Sequence, residues 1–141
     1  MPLQGIYMSI NSTEKGDSLN SFEKMKLCAG FANDMKAQNM VVLDVKEQSA
    51  FTSYFIICSG SSTRQVQAVA ENVELMMKGL GARVRGSEGM KNGRWVLLDF
   101  DDVVMHVFHE EERAFYDLEN LWQHCPRIAI EAVPASEKNK R

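Results

Sequence analysis

Two stretches of the chain carry residue types that could do chemistry. In the first, Asp99-Phe100-Asp101 sets two carboxylates in alternation, the spacing that lets acids on one face of a strand hold magnesium against a phosphate. In the second, Gly60-Ser61 follows an apolar run and precedes Ser62 and Gln65, so exposed amides and a helix dipole could meet an anion there. Together they resemble the layout of a nucleotidyltransferase. The triplet nevertheless comes about forty residues after Gly60-Ser61 and falls where an ordinary Asp-rich hairpin corner is needed. Nor does the turn have the Lys of a phosphate-binding loop or the spaced glycines of a dinucleotide fingerprint.

Other chemistry is weaker. His106 and His109 lie beside Glu110, Glu111 and Glu112, yet residues three apart on a strand point to opposite faces. Alternation groups His106 with Val104 and Phe108, as a packed and hydrogen-bonded histidine, and puts His109 near a helix start. Cys28, Cys58 and Cys125 are odd in number and widely spaced, which suits small buried hydrophobes and neither disulfides nor a zinc knuckle. No Gly-x-Ser-x-Gly elbow is present. No metal or other cofactor is therefore expected.

The elements that position these residues follow from periodicity. Asn20 and Glu23 form a capping box, and Phe22, Met25, Cys28, Ala29, Ala32 and Met35 predict a helix from about Ser21 to Gln38. Met40–Val45 and Ser53–Cys58 read as buried strands, joined by too few residues for a helical crossover and hence antiparallel. Val66, Val69, Ala70, Val73, Met76 and Leu80 mark a second helix, stopped by Gly79 and Gly81. An edge strand at Ala82–Arg85 is followed by strands Arg94–Asp99 and Val103–Phe108, and a last helix runs from Glu110 toward Trp122. The expected fold is α/β, a mixed sheet of about five strands flanked by helices.

A chain of 141 residues, 45% apolar and 25% charged, accommodates one domain. Residues 1–19 are expected to be a flexible extension, 20–126 the domain and 127–141 a C-terminal tail, solvated over 134–141. No apolar run reaches the ~20 residues of a membrane helix and no signal-peptide layout opens the chain, so a cytoplasmic protein is expected. The net charge of -3 argues against dependence on nucleic acid, which is held by clustered Lys and Arg. Unsatisfied strand edges and exposed aromatics make a homodimer plausible.

From Val41 to Trp122 the chain resembles the Iojap family, whose bacterial members are the ribosomal silencing factors. The resemblance is carried by Val42–Val45, Phe51–Phe55, Cys58–Val66, Glu88-Gly89, Trp95–Asp99, Val104–His109, Glu112-Arg113 and Tyr116–Trp122, in that order and spacing. Ser53 departs from the Asp usual there. The resemblance implies a sheet of nucleotidyltransferase-like topology without enzymatic activity. It also implies a function: binding the large ribosomal subunit through its protein fourteen, blocking small-subunit joining and repressing translation under nutrient limitation. Trp95, Asp99 and Phe100, with Asp102 and Met105 from the same hairpin, are the residues it places on the ribosome-binding patch. The alternatives are a metal-dependent nucleotidyltransferase using Asp99 and Asp101, and an assembly factor for the large subunit.

Overall fold

A computed structural model describes residues 19–130. Helix α1 spans Ser21–Asp34 and opens on the expected capping box: the Asn20 side chain accepts from the Glu23 amide at 2.8 Å, and Glu23 accepts from the Asn20 amide at 3.1 Å. It stops four residues before Gln38 because Lys36 and then Asn39 adopt positive φ, 64° and 49°, which turns the chain into strand β1, Gln38–Asp44. Strand β2, Tyr54–Gly60, returns antiparallel to β1.

Helix α2, Thr63–Gly79, is capped by the Ser62 hydroxyl, which accepts from the Gln65 amide at 3.0 Å. Residues 82–85 do not form the expected edge strand. Ala82 is held by the helix end, its amide on the Met77 carbonyl at 2.9 Å, so pairing begins only with Arg85 and strand β3 is Gly86–Glu88. Strands β4, Trp95–Asp99, and β5, Val103–His109, form the hairpin that the sequence predicts. The last helix is broken: α3 covers Glu110–Tyr116, Asp117 turns left-handed at φ 44°, and α4 covers Leu118–Leu121. Arg113 reaches over the break to grip Glu119 with two hydrogen bonds, 2.8 and 3.1 Å, and donates a third to the Ser59 hydroxyl at 3.0 Å.

The sheet order is β1-β2-β5-β4-β3, with β2 and β5 parallel and every other pair antiparallel. This is the mixed five-stranded α/β sheet expected. One face packs under α1 and α2, where Met25, Phe31, Val66, Val69, Val73 and Met77 meet Ile56, Cys58, Val96, Leu98, Met105 and Val107. The opposite face carries a smaller cluster, Leu43, Val45, Ile57, Phe108 and Cys125, roofed by Leu118 and Trp122.

Residues 126–130 do not form a free tail. The Asp44 amide donates to the Pro126 carbonyl and the Ile128 amide to the Val42 carbonyl, both at 2.9 Å, and Arg127 bridges Leu43. Ile128 and Ile130 pack against the core. Of the expected N-terminal extension only Leu19 lies within the described residues, and it is buried in the core. Among the described residues no helix is long and apolar enough to cross a membrane.

Candidate functional site

The acidic triplet and the Gly60-Ser61 turn are not brought together. Gly60 pairs with His109 at the end of β5, whereas Asp99 pairs with Val104 at its start. Five residues of strand separate them, about 16 Å. Each is also occupied locally. Asp99 Oδ1 accepts from the Asp101 amide at 2.8 Å, and Asp101, at φ 82°, pairs with Arg85 Nη1 at 2.7 Å. The Ser61 amide donates to Gln65 Oε1 at 2.8 Å. These are the contacts of a hairpin corner and a helix start, and among the described residues no group of three His, Cys, Asp or Glu side chains could hold a metal.

The cysteines are buried and unpaired, and burial pushes the Cys58 thiol up to about 12, which removes its thiolate at neutral pH. His109 caps α3, its Nδ1 accepting from the Glu111 amide at 3.2 Å.

What the sheet does display is a face. Strand alternation and register place Trp95, Leu97 and Asp99 of β4 beside Phe108, His106 and Val104 of β5, with Phe55 of β2 next to Val104. α1 and α2 cover the other side. On this side α3, α4 and Trp122 roof only part of the face, and Phe55, Trp95, Leu97, Asp99 and Val104 remain partly open. Tyr116, Phe115 and Leu121 stand exposed along the rim, at 50%, 78% and 68% of their possible surface. An apolar, aromatic face of this kind on a folded domain is a candidate interaction surface.

Trp95 is its most constrained member. The indole stacks on Phe108 at 4.7 Å between ring centres, leans on Tyr116 at 4.8 Å and donates its Nε1 hydrogen to His106 Nδ1 at 3.2 Å. Phe55 stands edge-on to His106 at 5.3 Å and to Trp122 at 4.9 Å. Burial lowers the His106 pKa to about 4, so the ring is neutral at physiological pH. An indole N–H only donates; Nδ1 is therefore unprotonated and the imidazole hydrogen sits on Nε2. That Nε2 is buried and has no hydrogen-bond partner.

The five residues placed on the patch by resemblance divide. Trp95 and Asp99 lie on the open face. Phe100, 2% exposed, and Met105, fully buried, belong to the core under α1 and α2. Met105 is on the odd side of a strand whose even residues face outward, and Phe100 turns inward at the hairpin corner. Asp102 is drawn to α1, where Lys24 Nζ binds its Oδ1 at 2.7 Å and the Phe100 carbonyl at 3.2 Å. Leu97, Val104 and Phe55 were not anticipated, although alternation from Trp95 and from His106 marks the first two.

A family model described as "Ribosomal silencing factor during starvation" matches residues 18–141. The ribosomal silencing factor of Halalkalibacterium halodurans is 39% identical over 115 residues, 82% of this chain and 98% of that protein. The chloroplastic protein Iojap of Arabidopsis thaliana is 33% identical over 120 residues, covering 84% of this chain and 50% of that protein. A crystal structure of a Chromobacterium violaceum protein superposes with a TM-score of 0.73 at 33% identity, over 82% of this chain and 96% of that one. With its family model, its relatives and its fold in agreement, the chain belongs to the ribosomal silencing factor family.

Proposed function

We propose that the open sheet face docks on ribosomal protein fourteen of the large subunit and blocks small-subunit joining by occupying that surface, silencing translation in the cytoplasm under nutrient limitation. The observation that carries this reading is the half-roofed face itself, with Trp95 held rigidly at the end beside Phe108 and Leu97, Val104 and Phe55 running from it toward Asp99. Docking of this kind needs a preformed apolar centre with an aromatic anchor and a polar rim, and no turnover. Asp99 at one end and Glu110 near the other supply carboxylates at the rim, which complement a basic ribosomal protein and speed encounter, whereas Glu111 is paired with Arg94.

The experiment is co-sedimentation with purified large subunits, followed by addition of small subunits. Leu97→Arg and Val104→Arg put a charge on the open face without entering the core. Wild type is expected to migrate with large subunits and suppress joining, and both variants, with unchanged circular dichroism, to do neither. Wild type absent from the large-subunit fraction would falsify the reading. Binding without suppression of joining would replace silencing with a role in subunit assembly.

A further inference from the structure

We propose that His106 is a positioning residue for docking: its Nδ1 takes the one hydrogen that the Trp95 indole can donate, so the partner meets Trp95 as a fixed apolar plate. The inference rests on the docking reading above, and it specifies the chemistry of the contact. Trp95 offers the partner no N–H donor, so the partner group seated against it meets only the ring face, as an apolar or a cation–π contact.

The geometry favours this over a packing role for the histidine. Position 106 lies among Trp95, Phe108 and Phe55, where a phenyl ring would fill the same slot without polar atoms. Histidine instead leaves an unpartnered Nε2–H in the interior, an arrangement that folded proteins avoid. The feature that histidine supplies and phenylalanine does not is the acceptor for Trp95. Stacking on Phe108 and Tyr116 sets the plane of the indole but does not choose which edge carries its N–H, since a half-turn about χ2 keeps the same plane. The Nε1–H···Nδ1 bond removes that freedom by fixing one edge of the ring. An anchor ordered before binding loses less entropy on binding.

Three measurements test the assignment. In wild-type protein, imidazole ¹⁵N shifts should show His106 neutral with its proton on Nε2; a proton on Nδ1 overturns the proposal, and this readout requires no variant. The Trp95 indole N–H, distinguished from that of Trp122 by its loss in Trp95→Phe, should exchange with solvent roughly two- to tenfold faster in His106→Phe, the range expected when a modest hydrogen bond is lost. The affinity of that variant for large subunits should fall by about tenfold although the protein stays folded, as a mobile anchor orders only on binding. His106→Gln, which retains a side-chain acceptor, should recover part of both effects. Unchanged exchange in His106→Phe overturns the positioning role, and faster exchange with unchanged affinity overturns its importance for docking. If wild type does not bind large subunits, the docking reading fails and this role with it, whereas the tautomer and exchange data report on His106 and Trp95 independently.

Discussion

Replacing Lys24 with Met should cost about 2 kcal/mol of folding stability and leave docking intact. The Lys24 ammonium lies between α1 and the β4–β5 corner, 2.7 Å from Asp102 Oδ1 and 3.2 Å from the Phe100 carbonyl, with side-chain exposures of 14% for Lys24 and 32% for Asp102. An exposed ion pair contributes roughly 0–1 kcal/mol, and breaking a fully buried pair costs roughly 3–5 kcal/mol. This pair lies between those limits: its removal leaves a shielded carboxylate without its cation, while the Phe100 carbonyl keeps the Asp102 amide as a donor at 3.1 Å, hence the intermediate figure. In urea the unfolding midpoint should fall with an unchanged slope, and the thermal midpoint should drop by about 8 °C. Asp102→Asn should lose less, because the amide oxygen can still accept from Lys24. Neither change alters the open face, so each folded variant should suppress joining as wild type does. A loss under about 0.5 kcal/mol for Lys24→Met would show that solvent screens the pair. Loss of ribosome binding in a stably folded Asp102→Asn variant would return Asp102 to the docking surface and refute the division of roles made here.

Two further outcomes can be measured on the protein alone. The folded-state pKa of His106 is depressed, so the neutral ring stabilises the fold fully above its ordinary value of 6.5, and that contribution is lost as pH falls through about 4. The difference corresponds to about 3 kcal/mol, and denaturant titrations across pH 7 to 4 should show a steeper decline for wild type than for His106→Phe. The hydrogen bonds from Arg113 hold Glu119 below the usual carboxylate range and add a loss of the same sign on acidification, which both proteins share. Gly89→Ala should destabilise by about 2–3 kcal/mol, since φ there is 86° and a Cβ would run into the Trp95 carbonyl oxygen. Its thermal midpoint and its indole exchange at Trp95 should both shift, because the obstructed backbone is the one that carries the anchor.

Local rules carried most of the fold. The Asn20–Glu23 box, the apolar runs of β1 and β2 and the alternation of β4 and β5 were legible because each depends on neighbours within a few residues. What sequence could not reveal was set by distant contacts. Ala82 leaves the expected strand for the end of α2, and Asp117 breaks the last helix where Arg113 clasps Glu119. The open face was half legible for the same reason. Trp95 and Asp99 share a parity on β4 that places them outward, but Met105 has the buried parity on β5, and resemblance to a motif does not encode which side of a sheet a helix will cover. Asp102 depended on Lys24, seventy-eight positions away.

The pairing of Pro126–Ile130 with β1 bears on where the domain can be cut. A shortened form ending at Trp122 would bare the backbone groups of Val42 and Asp44 along the outermost long strand, and Ile128 and Ile130 would no longer shield the apolar side chains beneath. Such an edge invites strand addition from other molecules. Insolubility of that fragment would then report an unsealed sheet margin, and its failure in a ribosome assay would carry no information about docking.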